Sequence, residues 1–411
     1  MLSRYLNIAI PILLFALIAF NIKAFPIYDY DNWCWTVWAS HDLKEGLSNA
    51  YNDPNSPMRT NYLPVFHYIL YVFGLICGSE KIINENVHYI KLATLAIDWL
   101  GLWYIYKWID KKIAFYWLVI LSLVNIAYSY NTLIWGQVDG IVATFAFIST
   151  YYGFHRKTAL SALFFILALN TKLQAIIFFP VWGFFYLQHA LEQRTLKSFL
   201  LPLMAMAATQ FVILIPFLGT IDRILEVAFN LVGQYPHVSV MAFNYWHIAL
   251  GDGVWNLPDT GNYIGGITYR QFGFATFFLC SFLALLPMLR VLYTRMVAGM
   301  KRLELTREQV WLICAVLGLC FFFFNTQMHE RYSHPAFIFI AAYAFYTKRF
   351  LPYIIFSAAY FLNVEKVGAV MHLSNYHTAI YNHVFIAALF GVLLLYLLVK
   401  LWLSFKPKQL Q

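Results

Sequence analysis

The chain has 411 residues, 61% of them hydrophobic and only 11% charged, whereas soluble domains carry about 25% charged residues. Its formal charge of +9 comes from basic clusters scattered between apolar stretches, which excludes a nucleic-acid patch. The five cysteines (Cys34, Cys77, Cys280, Cys314 and Cys320) show no CxxC or Cys/His metal spacing, so they suggest neither disulfides nor zinc.

Leu6–Phe25 is the first of several apolar runs that approach the ~20 residues needed to cross a bilayer. It is too long for the apolar core of a signal peptide and lacks a small-x-small cleavage site, so it reads as a retained helix. Ile113–Tyr130, Phe199–Leu218, Phe272–Leu292 and Val384–Phe405 are of the same kind. In hydrocarbon every backbone polar group needs an internal partner, which for such runs means helices. In chain order the sequence predicts spans near 6–25, 62–78, 89–108, 113–130, 139–154, 158–170, 174–188, 198–218, 270–292, 309–325, 335–347, 350–363 and 379–403. The fold class is therefore an all-α polytopic transmembrane bundle of about 12–13 spans. It divides into an N-terminal module (1–218) containing a first outer loop (28–62), a large outer loop (219–268) and a C-terminal module (269–411). Trp and Tyr at segment ends, such as Trp33, Trp35, Trp38, Tyr104, Tyr106 and Trp108, read as an interfacial belt.

Charge bias orients the bundle. Lys107–Lys112, His155–Lys157, Arg194–Lys197, Arg290–Arg307, Lys348–Arg349 and Lys406–Lys408 are expected on the cytoplasmic side. The loop 28–62 carries Asp29, Asp31, Asp42, Glu45 and Asp53 against Lys44 and Arg59, and the loop 219–268 carries Asp222, Glu226, Asp252 and Asp259 against Arg223. Both are expected outside. Thirteen spans put the two termini on opposite sides, while Lys406 and Lys408 favour a cytoplasmic C-terminus. The stretch 62–112 is where that conflict lies.

Charged groups at membrane depth are costly, so polar clusters between spans are the informative places. Four stand out. Beyond the first run, Asp29 and Asp31 stand where a carboxylate can serve as a base in a cleft facing the bilayer, or can simply solvate a loop end. Trp135-Gly-Gln-Val-Asp139 combines a turn glycine with Gln137 and Asp139, suited to a sugar's hydroxyls or to capping a helix start. Asn170-Thr-Lys172-Leu-Gln174 places a cation between apolar runs, as a lipid phosphate, a snorkelling lysine or a carboxylate partner would require. Asn325–Pro335 packs His329, Glu330, Arg331 and His334 into one short gap, a density that favours a phosphate site over a plain hairpin.

Together these residues resemble the GT-C superfamily of membrane glycosyltransferases, nearest in pattern to lipid-linked glucosyltransferases of the N-glycan pathway and bacterial mannosyltransferase-like proteins. Asp31 and Trp38 keep that family's Asp-to-Trp spacing of seven, and Asn61-Tyr-Leu-Pro64-Val departs from its DYPPL stretch at the acidic residue and one proline. WGQxD is matched by Trp135–Asp139, the Lys/Gln/Pro series by Lys172, Gln174 and Pro180, and MHERY by Met328–Tyr332. The resemblance implies transfer of a hexose, mannose or glucose, from a polyprenyl-phosphate donor to a glycolipid or cell-envelope glycan acceptor, with inversion. It implies Asp31 as general base. Lys172, His329 and Arg331 are implied at the donor phosphate, with Asp29, Gln137, Asp139, Gln174 and Glu330 orienting residues or holding sugar. The scheme requires no cofactor, although acidic outer-loop residues leave a divalent metal open. The rival from another class is a transporter or flippase for a lipid or sugar; the absence of an internal repeat and the gathering of polar clusters on one face weigh against it.

The aromatic and histidine residues of 219–268 (Tyr235, His237, Tyr245, Trp246, His247 and Trp255) suit either a stacked sugar acceptor or an interfacial stretch. His372, Asn375, His377, Asn382 and His383 read as a polar outer loop. The sequence contains no Asn-x-Ser/Thr acceptor, which fits a bacterial inner-membrane protein with its site facing the periplasm or exterior.

Overall fold

The computed structural model describes residues 2–25, 27–52, 60–230, 233–298, 304–373 and 375–405. Asp53, Arg59, Lys406 and Lys408, counted above in the charge bias, lie outside them, as does part of the basic stretch 290–307. The protein is nearly all-α. Every segment expected to span carries a helix, from Leu2–Phe20 at one end to His383–Leu403 at the other.

By length and hydropathy, four of the described helical stretches are able to cross a bilayer: Leu196–Asn230, Tyr269–Thr294, Arg307–Phe324 and His383–Leu403. Two bent pairs raise the number to six. Several other expected spans are shorter than a crossing requires. Phe337–Thr347 has 11 residues, a rise of roughly 16 Å against a hydrocarbon core of ~30 Å. The described helices support an integral membrane protein, with fewer spans by this measure than the sequence expectation.

The bent pairs explain why 62–112 was hard to place. Pro64–Cys77 and Glu80–Trp108 meet at 111°. Gly78, with φ 72°, closes the first, and the Ser79 side chain caps the second by accepting from the Ile82 amide at 3.4 Å. Phe115–Val124 and Ile126–Trp135 meet at 84°, with Asn125 capping the second. The loop expected at 28–62 contains the helix Asp29–Glu45.

The chain forms two compact units: one of residues 1–152, 157–176 and 200–234, the other of 153–156, 177–199 and 235–411. In the first, a core of Ile27, Trp35, Ala39, Phe66, Leu70, Ile83 and Val138 packs around the helix Asp29–Glu45. In the second, Trp246, Val254 and Val238 anchor the segment that precedes Tyr269–Ala298. That segment holds the two strands found among the described residues, Asn262–Ile264 and Ile267–Thr268. Gly265 and Gly266 join them with φ of 58° and 87°, values a two-residue hairpin turn demands at both positions.

Candidate functional site

In the first unit, the helix Asp29–Glu45 places Asp31, Trp35, Trp38 and Asp42 at successive spacings of four, three and four residues, which is one helix face. Each member meets a different part of the chain. The Asp31 carboxylate accepts a hydrogen bond from the Trp135 indole at 2.9 Å, and the Tyr28 ring stacks on Trp135 at 4.9 Å. Trp35 lies against Gly136, where an added Cβ would come within 3.2 Å of its ring. Gly136 also has a φ of 81°, so two independent constraints select glycine there.

Trp38 faces Tyr62 at 5.6 Å, and the Tyr62 hydroxyl donates to Gln137 Oε1 at 2.8 Å. The other end of that amide, Gln137 Nε2, is buried without a protein acceptor among the described residues, as is the Trp35 indole nitrogen. Two buried donors without acceptors are uncommon in a folded interior. They suit a ligand rich in acceptor oxygens. Asp42, at the far end of the face, pairs with His67 Nδ1 at 2.7 Å, and His67 Nε2 meets the Thr60 hydroxyl at 2.8 Å. The carboxylate accepts from His67 Nδ1. Asp42 and His67 are both fully buried.

Asp139 opens the helix Asp139–Phe154, and its buried carboxylate receives Lys172 Nζ at 2.7 Å. Lys172 follows the last turn of Thr158–Thr171, where a cation also complements the helix dipole. Of the readings the sequence allowed for Lys172, the structure displays the carboxylate partner, and it is Asp139. Gln174 is buried in the turn Leu173–Phe178. Asp29 is exposed in the first turn of its helix. The unit therefore brings together Asp31, Trp38, Tyr62, Trp135, Gln137, Asp139 and Lys172, which come from three of the sequence clusters and the Asn61–Pro64 stretch.

The fourth cluster belongs to the second unit. Glu330 is 2% exposed and lies between the Arg331 guanidinium, which donates to it, and His329, whose Nδ1 is 3.8 Å away. Burial pushes its carboxyl up, but Arg331 and then His329 outweigh that and hold it at about 2. The His329 ring sits edge-on to Tyr235 at 4.8 Å. The residues just before it are tied to Asp259, which accepts from Thr326 at 3.0 Å and Gln327 at 2.6 Å, and binds Arg270 through two nitrogens, each at 2.8 Å. Burial raises the Asp259 carboxyl, but these donors, Arg270 first, bring it below its ordinary value.

Sequence reasoning did not single out His67, Lys91, Asp98 or Arg270. The signal for two of them was present: Lys91 and Asp98 are charges seven residues apart inside an apolar helix. Among the described residues no group of three or more His, Cys, Asp or Glu side chains is placed to hold a metal ion. Compared with known proteins, the chain matches no family model and no curated protein.

Proposed function

We propose that this protein is a membrane glycosyltransferase of GT-C type, with about 12–13 helices in its membrane domain. It moves a hexose from a polyprenyl-phosphate donor to a lipid-linked or cell-envelope acceptor, with inversion, at the outer face of a bacterial inner membrane. The observation that carries the reading is the Trp135–Asp31 hydrogen bond, which joins two motifs far apart in sequence at the carboxylate the reaction needs. In this reading the acceptor hydroxyl oxygen attacks the anomeric carbon as the bond from that carbon to the phosphate oxygen breaks. Asp31 takes the hydroxyl proton, and polyprenyl phosphate leaves with the bonding electrons. Trp135 orients the base, and Gln137 Nε2 donates to a sugar oxygen.

Lys172 gives one of its three donors to Asp139 and offers charge to the leaving phosphate. His329 and Arg331, in the second unit, have the residue types of a phosphate site, with Glu330 beside His329. Gln174 and Asp29 are assigned to sugar binding on the same footing. No metal enters this scheme.

A second reading, a lipid or sugar transporter, draws on the two helix pairs bent by 111° and 84°, since broken helices often mark transport sites. Purified protein in nanodiscs, given radiolabelled undecaprenyl-phosphate mannose or glucose and a panel of glycolipid acceptors, separates the two. Transfer by the wild type that disappears in a folded Asp31→Asn variant supports the transferase and its base. A wild type that neither transfers sugar nor binds the donor overturns it in favour of the transporter.

A further inference from the structure

The segment that carries Trp135 is irregular: the chain bends by 84° before it, and its last turn, Tyr130–Trp135, widens to a π turn. Backbone of this kind away from water needs partners from the protein. Two come from a single helix, Ile90–Trp108. Lys91 Nζ donates to the Leu133 carbonyl at 3.0 Å, and also to the Phe25 carbonyl at 3.0 Å. Asp98 Oδ2 accepts from the Thr132 hydroxyl at 2.5 Å. Lys91 and Asp98 are 0% and 3% exposed, and their spacing of seven puts them two turns apart on one face.

Adjacent residues of the π turn, Thr132 and Leu133, are thus held by a carboxyl and an amine side chain, three and two residues before the indole that reaches Asp31. Asp98 makes a further approach. A Cβ added at Gly140 would lie 2.1 Å from Asp98 Oδ1, so the carboxylate rests against the first turn of the helix that Asp139 opens. One helix face therefore braces the motif on both sides of Gly136. An apolar face would fill the same space without two deeply placed ionisable groups.

We propose that Lys91 and Asp98 are positioning residues for the Trp135–Asp139 segment, and through Trp135 for the carboxylate of Asp31. Their catalytic consequence rests on the transferase reading; the positioning itself does not. The test is full-length protein in nanodiscs with 15N-labelled tryptophan, the Trp135 indole resonance being identified by its loss in Trp135→Phe. In Thr132→Val and Lys91→Met that resonance is expected to move and its hydrogen exchange to quicken by about tenfold, with partial recovery in Lys91→Arg. Sugar transfer is expected to lose about tenfold in kcat with KM unchanged.

An indole resonance unmoved in position and exchange overturns the proposal. So does unaltered kcat in variants of an active enzyme. If Lys91→Met fails to fold, Thr132→Val decides, since it removes one hydroxyl and keeps both the Lys91 and the Asp98 side chains. A shifted indole in a protein whose wild type neither transfers sugar nor binds the donor upholds the positioning and defeats the transferase reading.

Discussion

The indole nitrogen of Trp135 donates to Asp31 Oδ2 at 2.9 Å across a separation of 104 residues. A hydrogen bond to a charged acceptor contributes about 1.5–3 kcal/mol, and this one fixes which way the carboxylate faces. Trp135→Phe keeps an aromatic ring for the Tyr28 stack and removes the donor. In the donor-to-acceptor assay kcat is expected to fall by roughly tenfold to a hundredfold with KM nearly unchanged. A loss confined to KM would mean that Trp135 binds substrate and does not orient the base.

Lys172 and Asp139 form the second long-range pair at 2.7 Å, with side chains 16% and 0% exposed. Removing one partner strands the other. Asp139→Asn and Lys172→Met are each expected to lower stability by about 3 kcal/mol, and the double variant by clearly less than their sum. Thermal unfolding in detergent measures the cycle. Additive losses would show that the two side chains do not depend on each other.

Which polar residues need a partner was more legible in the sequence than which residue meets which. Asp31, Gln137, Asp139 and Lys172 stand out because polar groups between apolar runs need a reason. Their partners do not, since Tyr62 and Gln137 are 75 residues apart and Lys172 and Asp139 are 33 apart. Such pairings are decided by how helices pack. The helix Asp29–Glu45 was hidden for a related reason: its buried residues are Cys34, Trp35, Trp38, Ala39 and Asp42, so a carboxylate interrupts the apolar periodicity that marks a helix. By length and hydropathy the described helices supply four to six candidate spans, because several expected spans carry shorter helices, as Phe337–Thr347 does with 11 residues.

The Asp42–His67–Thr60 chain links the buried face of that helix to the segment leading into Tyr62. His67→Phe is expected to cost about 3 kcal/mol, because it leaves the Asp42 carboxylate buried beside an apolar ring. Asp42→Asn is expected to cost less, since an amide oxygen still accepts from Nδ1. Comparing the two melting temperatures checks the order. Equal losses would show that shape, not hydrogen bonding, sets the cost.

Glu330 makes the second unit sensitive to acid, with a sign that follows from its surroundings. Its folded carboxyl titrates at about 2, against an ordinary value of 4.5. The group is depressed on folding, so its contribution is complete above pH 4.5 and disappears as pH falls toward 2. The size is on the order of 3 kcal/mol. Asp259, held low by Arg270, acts in the same direction. His247 adds acid sensitivity from higher pH: burial, and then His383, bring its ring from 6.5 down to about 3, so it resists protonation in the fold and accepts it on unfolding. Melting temperatures in detergent from pH 7 to 3 are therefore expected to fall in wild type. In Arg331→Met the part between pH 4.5 and 3 is expected to flatten, because the cation that depresses Glu330 is gone, while the His247 part persists. An unchanged slope below pH 4.5 in that variant would remove Arg331 as the cause.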